Sequence, residues 1–171
     1  MLTSCASHAK ANETHPQSTT SNTSGSTRAR NSGPSSPWAG GKPKTLTCEA
    51  VAPQSLVDQL YGTSASLYAP DSEVASGSSY CRYDGTNLVL VVSIQIWTGP
   101  QSESTQQIFD DWTMRTQEVS GIGDWAYALG SGQLIVRSHG TVVAIFQGDE
   151  NAPLSRAITV AREVLAKANR A

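Results

Sequence analysis

The residue types of a Ser-His-Asp triad are present, but their context in the sequence favours a structural role. Asp124 and His139, together with a serine, are the groups that could move a proton from a nucleophilic hydroxyl to an imidazole. The chain has no Gly-x-Ser-x-Gly pattern of the kind that presents a serine nucleophile on a sharp turn. His139 directly precedes Gly140, between two apolar runs. We therefore expect a turn histidine instead of a general base, and we predict no catalytic residues.

Two other patterns invite a chemical interpretation and favour a structural one. Gly121 and Gly123 have the spacing of a phosphate-binding loop, but that loop needs a strand before the glycines and a helix after them. Here a predicted helix precedes them and a strand follows, so we expect a sharp helix-to-strand link with Asp124 capping a turn. Asp110 and Asp111 are neighbours on the solvated side of a predicted helix, whereas paired acid/base carboxylates need two different environments.

Charge and composition exclude several classes of partner. The 171 residues carry a net charge of −2, which gives no electrostatic footprint for nucleic acid. His8 and His15 stand in a polar segment without a cluster of cysteines or carboxylates, so we expect solvated residues instead of metal ligands. No stretch is long and apolar enough to be a membrane-spanning helix. We therefore predict no metal, no cofactor and no nucleic-acid partner.

Cys5 is the predicted site of lipid attachment. The run Leu-Thr-Ser-Cys at 2–5 resembles a bacterial lipobox, in which small residues precede a cysteine whose sulfur receives a diacylglycerol. The alternative is a free thiol in a disordered tail. No charged and apolar leader precedes Leu2, so we expect Met1 to be a mis-assigned or truncated start. The resulting prediction is a palmitate-bearing lipoprotein on the extracytoplasmic face of the cell membrane.

Residues 1–44 form the predicted lipobox-like start and tether, and residues 45–171 form the predicted domain. The tether is rich in Ser, Thr, Asn, Gly and Pro, and it carries too few apolar side chains to offset the entropy of ordering it. A flexible coil of about forty residues reaches roughly 35 Å. Such a tether lifts a domain clear of a lipid surface.

The pattern of apolar residues in the domain predicts an α+β fold with one antiparallel sheet of about five strands and helices on one face. The expected order is α-β-β-α-β-β-β-α. The predicted helices cover 53–61, 104–119 and 151–169, and the predicted strands cover 80–83, 88–97, 125–129, 133–138 and 141–147. Asp84 and Gly85 predict a two-residue hairpin turn. In the middle helix, the side expected to pack on the sheet carries Ile108, Phe109, Trp112 and Val119.

Cys48 and Cys81 are a candidate disulfide. An exported domain meets an oxidising environment, and a bridge between these two leaves Cys5 free for lipid. It would fix the first helix to the first strand. Two unpaired buried thiols are the alternative.

Five aromatic residues are the candidate binding surface. They are Trp97, Trp112, Trp125, Tyr127 and Phe146. Their simplest role is in the core. If the second face of the sheet is incompletely covered, some of them would line an apolar groove that receives a ligand or a partner.

These features together resemble a known family. The lipobox-like start, the Ser/Thr-rich tether, one cysteine before the first helix, another before the long strand, and the segment VSGIGDWAY at 119–127 are similar to actinobacterial lipoproteins of domain of unknown function 3558. The resemblance covers roughly residues 45–171. It implies a cell-envelope protein of unresolved activity and supplies no catalytic residues.

Three functions are compatible with this sequence. The first is a non-enzymatic, lipid-anchored envelope protein that binds a partner protein or a small apolar ligand on the sheet. The second is an accessory or sensory lipoprotein that modulates a membrane signalling or transport complex. The third, a cell-envelope hydrolase, lacks a convergent nucleophile, base and orienting group. A deep pocket among the tryptophans would favour a ligand, and a flat apolar patch would favour a protein.

Overall fold

The computed structural model describes residues 42–62, 65–68, 77–101, 103–114, 116–130 and 132–171, and it describes no side chain at 103 or 104. The predicted lipidation residue, Cys5, lies outside the described residues, as does the tether up to residue 41.

The described chain forms one antiparallel sheet with helices on it. The strands lie in the order β1-β2-β3-β7-β6-β5-β4, and every neighbouring pair is antiparallel. The strands are β1 (Ser66–Leu67), β2 (Ser78–Asp84), β3 (Leu90–Thr98), β4 (Gln117–Glu118), β5 (Trp125–Gly130), β6 (Gln133–Ser138) and β7 (Thr141–Gln147). The helices are α1 (Cys48–Val51), α2 (Gln54–Tyr61), α3 (Glu103–Thr113) and α4 (Leu154–Ala168).

The predicted α+β class and the single antiparallel sheet are confirmed. The sheet has seven strands in the described residues instead of about five. The two additional strands, β1 and β4, are two residues long and lie at the edges of the sheet. A two-residue strand is too short to show the alternation of apolar and polar residues on which a sequence prediction depends.

The three-stranded meander from β5 to β7 is confirmed almost to the residue. His139 and Gly140 join β6 to β7 with φ angles of 51° and 78°, the left-handed pair that a tight hairpin requires. The backbone N–H of His139 donates to Oδ2 of Asp124 at 2.9 Å, which is the predicted capping role of that carboxylate.

The connection between β2 and β3 differs from the prediction. The strands were expected to meet at a two-residue turn, Asp84-Gly85, but a single 3₁₀ turn at Thr86–Leu88 lies between them. The register shifts at the end of β2, and β3 begins only at Leu90. Leu88 and Val89, expected inside the strand, are 66% and 63% exposed.

Helix α3 is shorter than predicted, and one of its residues faces the other way. It ends at Thr113, and the backbone N–H of Val119 bonds to the carbonyl of Ala126 on β5 instead of continuing the helix. Ile108, expected on the packed side, is 48% exposed, whereas Phe109 is fully buried. Adjacent helical residues point about 100° apart, so the helix buries one of the two and exposes the other.

The main core lies between the sheet and helices α1, α2 and α4. Alternate residues of the central strands point into it, among them Ile94, Ile96, Leu134, Val136, Val143 and Ile145. Helix α4 contributes three buried alanines, whose small side chains let the helix approach the sheet closely, at Ala157, Ala161 and Ala168. Pro153 precedes its first turn, where a missing N–H costs no hydrogen bond.

The predicted Cys48–Cys81 disulfide is confirmed, with 5.5 Å between the two Cα atoms. It joins α1 to β2 across a separation of 33 residues. In the loop-entropy account a closed loop of that length stabilises the fold by about 3–4 kcal/mol. Beside it the hydroxyl of Tyr83 donates to the carbonyl of Ala52, and burial, with a smaller effect of Glu49, raises the pKa of Tyr83 to about 12.

The prediction that the helices share one face of the sheet is wrong for α3. Its buried residue Phe109 packs against Ile135, Val142 and Ala144, which point away from the main core. Helices α1, α2 and α4 therefore cover the first face of the sheet, and α3 lies on the second.

The link between β4 and β5 allows a matched test of two glycines. Gly121 and Gly123 both have left-handed φ angles, 79° and 64°, so alanine is strained at either position. A Cβ at Gly121 would meet no atom within 4 Å, whereas a Cβ at Gly123 would overlap the carbonyl oxygen of Arg137. We expect Gly121→Ala to lower the free energy of unfolding by about 1–2 kcal/mol, and Gly123→Ala to lower it by about 1–3 kcal/mol more. Urea denaturation of both variants measures the difference, and equal effects would contradict this packing of the link.

Candidate functional site

All five aromatic residues predicted as a binding surface lie on the second face of the sheet. Trp97, Phe146, Trp125 and Tyr127 come from strands β3, β7 and β5, where they alternate with residues of the main core. Trp112 reaches the same face from α3. We call this set, together with Phe109, the aromatic face.

The rings of the aromatic face pack mainly edge to face. Trp97 meets Phe109 with 4.9 Å between ring centroids and an interplanar angle of 80°, and Trp112 meets Phe146 at 5.6 Å and 71°. These are the arrangements that aromatic quadrupoles favour. Trp125 and Tyr127 form a separate pair at 5.5 Å on β5. Phe109 is the anchor of α3, and the sequence placed it on the packed side of that helix without including it in the candidate surface.

The aromatic face is incompletely covered. Phe109 is fully buried, but the five predicted residues are each only partly buried. Seven strands at about 4.8 Å spacing give a sheet about 29 Å wide, whereas one helix is about 10–12 Å across with its side chains. A single helix cannot cover such a face, so aromatic surface remains next to α3.

Arg137 introduces a positive charge into this surface. It lies on β6, directly between Trp125 on β5 and Val142 on β7 in the register of the sheet. Its Nε atom is buried without a hydrogen-bond partner. Across the described residues, no hydrogen bond or ion pair engages its guanidinium group. A guanidinium beside an aromatic residue can donate hydrogen bonds to a carboxylate or a carbonyl from outside the domain.

Arg137 is not among the residues predicted from the sequence, although the alternation of residues along β6 indicates which face it lies on. Residues of β6 alternate between the two faces, and Arg137 falls on the same side as Ile135. An arginine at an inward-facing position between aromatic strands is unusual enough to mark a site.

A small cavity lies at one border of the aromatic face. Its volume is about 260 Å³, and its walls include Tyr80, Gln95 and Trp97. Pockets for drug-sized ligands occupy about 300–1,000 Å³. The cavity lies beside one tryptophan instead of among several, so it is not the deep pocket among the tryptophans that would favour a small ligand.

The candidate triad does not have the geometry of one. Oγ of Ser138 lies 2.9 Å from Nδ1 of its neighbour His139. Asp124 accepts from the backbone N–H of His139 and not from its ring, so the carboxylate does not orient the imidazole. These contacts hold the β6–β7 turn in place. Gly121 and Gly123 lie in the link into β5, but this link joins two strands, β4 and β5, instead of the predicted helix and strand.

No three His, Cys, Asp or Glu side chains of the described residues come together as a possible metal site. Within the same residues, no helix combines the length and apolar character needed to cross a bilayer. Comparisons with protein-family models, curated proteins and solved structures found no match for this chain.

Two adjacent residues test whether α3 is held to the aromatic face as described. Phe109→Ala removes a fully buried ring, so we expect it to lower the free energy of unfolding by about 3–5 kcal/mol. Ile108→Ala removes a half-exposed side chain and should cost less than about 1 kcal/mol. Both variants change the same helix by the same kind of truncation, so differences in helix propensity largely cancel. Similar losses in urea denaturation would show that α3 does not pack through Phe109.

Proposed function

We propose that this chain is a lipid-anchored protein of the cell envelope whose domain is a non-enzymatic binding module. The lipobox-like residues around Cys5 and the Ser/Thr-rich tether support the anchor. The Cys48–Cys81 disulfide supports export, because such bridges persist in oxidising compartments. The resemblance to the lipoproteins of domain of unknown function 3558 points to the same compartment.

The aromatic face carries the proposal for binding. Trp, Tyr and Arg are the residues enriched at energetically important positions of protein interfaces. Here Trp125, Tyr127 and Arg137 lie side by side on β5 and β6. The matching partner is a protein that presents an apolar side chain to the rings and a carboxylate or carbonyl to the guanidinium. A membrane signalling or transport complex within the roughly 35 Å reach of the tether is one such partner.

A small apolar ligand is the second candidate. The observation in its favour is the cavity of about 260 Å³ beside Trp97, which is slightly smaller than the pockets that hold drug-sized ligands. Its small volume makes a protein partner the better match for the rest of the face.

Metabolic labelling tests the anchor. An actinobacterial host that expresses the chain behind a full signal leader and grows with an alkyne analogue of palmitate should incorporate the analogue into the protein. Cys5→Ala removes the only cysteine outside the disulfide, so we expect complete loss of label. Ser4→Cys combined with Cys5→Ala, which moves the thiol by one residue, is the positional control and should also lose it. An unlabelled wild-type chain would contradict the anchor.

Site-specific photocrosslinking in the envelope tests the binding face. A benzoylphenylalanine in place of Tyr127 should give a crosslinked species of discrete mass, because this side chain is only partly buried and lies diagonally across from Arg137 in the register of the sheet. The matched control places the same probe at Thr159, which is exposed on α4 away from the aromatic face.

A variant of Arg137 tests whether the crosslink from position 127 depends on the proposed contact with the guanidinium. Arg137→Gln keeps most of the aliphatic stem and removes the charge, so it should lower the crosslink yield from position 127 by about tenfold, as expected for one lost charge-assisted contact. An equal yield from positions 127 and 159, or a yield that Arg137→Gln leaves unchanged, would exclude this face as the partner site.

A further inference from the structure

A second cavity lies at the β1 edge of the sheet, apart from the aromatic face. Its volume is about 620 Å³, within the range of small-molecule sites. Its walls come from the short strand β1 with the following Tyr68 and from the connection between β2 and β3. One wall residue is Asp84, the last residue of β2.

Asp84 is a buried carboxylate with only half of its acceptors in use. The residue is 3% exposed, and its Oδ1 accepts from Nε of Arg82 at 2.8 Å. Its Oδ2 is buried and has no hydrogen-bond partner. Buried polar atoms are paired in the great majority of proteins, and an exception calls for a reason. A donor from outside the chain would pair this oxygen.

Part of the lining of the cavity is apolar and conformationally strained. Leu88 is about two-thirds exposed, and Tyr68 is exposed as well. Asn87 and Leu88 have φ angles of 62° and 60°, a region that residues other than glycine rarely occupy and that asparagine tolerates better than leucine. Strain of this kind at a branched apolar residue is characteristic of ligand-binding segments. The strain here keeps Leu88 at the mouth of the cavity instead of in the core.

Arg82 sets the charge of the cavity. Its guanidinium lies 5.0 Å from the centroid of the Tyr68 ring and pairs with Asp84, so the acid and the base together are neutral. An anionic ligand gains no net attraction there and would face the unpaired Oδ2. A ligand that donates a hydrogen bond satisfies that oxygen and can lay its apolar part against Leu88 and Tyr68.

We propose that the cavity between β1 and the β2–β3 connection binds a small amphipathic molecule, a hydroxyl or ammonium donor on an apolar body, with the donor paired to Asp84. The site is independent of the aromatic face and of the lipid anchor, because it uses none of their residues. Its test therefore needs neither the lipid nor a protein partner.

Three probes of one shape and different head groups test the proposal. Cyclohexanol and cyclohexylamine carry a donor on a six-membered apolar ring, and cyclohexanecarboxylate carries an acceptor on the same ring. Each is titrated into the full unlipidated chain labelled with ¹⁵N, and the amide signals of Gly85 and Leu88 are followed. We expect the alcohol and the amine to shift these signals saturably, and the carboxylate to leave them in place at the same concentrations.

Replacing the carboxylate should reverse this preference. Asp84→Asn keeps the shape and can keep the bond from Arg82, but it puts an amide donor where Oδ2 was. Affinity for cyclohexylamine should fall by about tenfold or more, and cyclohexanecarboxylate should gain measurable binding. The charge-matched control is Asp111→Asn, which removes an exposed carboxylate on α3. It should change the affinity for neither cyclohexylamine nor cyclohexanecarboxylate. Leu88→Gly removes an apolar side chain from the lining and relieves the strained φ. It should lower the affinity for cyclohexanol and leave the folded domain at least as stable as the wild type.

Each remaining outcome would overturn the proposal. It fails if no probe shifts the two amides, or if all three bind equally, because the site would then be closed or merely apolar. It also fails if a folded Asp84→Asn domain keeps the wild-type order of affinities. If that variant does not fold, the discrimination among the three probes by the wild-type chain decides the question alone.

Discussion

The pairing of β3 with β7 is the contact on which the rest of the fold depends. It joins the β2–β3 hairpin to the β5–β7 meander and places both at the centre of one sheet. Because β3 is central and β4 is at the far edge, the chain between them has to cross a face of the sheet. Helix α3 makes that crossing on the second face, while α4, which follows β7, returns over the first. In the part of the chain that the structure describes, the topology thus places three helices on one face and one on the other.

This asymmetry accounts for the aromatic face. Alternation along β3 and β7 directs Ile96 and Ile145 into the main core, and it directs Trp97 and Phe146 to the side that α3 crosses. A narrow helix over a wide sheet needs large side chains to exclude water, and aromatic rings bury the most area for each residue ordered. The aromatic face continues past the helix to Trp125 and Tyr127 on β5, and Arg137 lies opposite Trp125 in the register of the sheet. A surface that supports α3 at its centre is therefore available for binding at its margin.

The sequence contained strong signals wherever a segment was long and periodic. The meander, helices α2 and α4, the disulfide and the membership of the aromatic face could all be predicted. Three features could not, for separate physical reasons. The side of the sheet taken by α3 depends on the strand order, which no local pattern encodes. The exposed run Leu88-Val89 has strand composition, and only the shifted register at Asp84 removes it from the strand. The unpaired oxygen of Asp84 is visible only in the structure, whereas the alternation along β6 already places Arg137 on the side of Ile135.

The guanidinium of Arg137 and the free Oδ2 of Asp84, whose Oδ1 pairs with Arg82, are far enough apart to act separately. In the register of the sheet, Arg137 on β6 lies opposite Val142 on β7, Val142 lies opposite Trp97 on β3, and Trp97 lies opposite Ser78 on β2. Asp84 is six residues further along β2. Three strand spacings and six residues of extended chain place the two Cα atoms about 24 Å apart. This is more than twice the screening length of roughly 8 Å at physiological ionic strength. An acceptor suited to Arg137 meets another acceptor at the unpaired oxygen of Asp84, and a donor suited to that oxygen meets another donor at Arg137. If both proposed sites bind as argued, the domain distinguishes two ligands by whether their polar group accepts or donates a hydrogen bond.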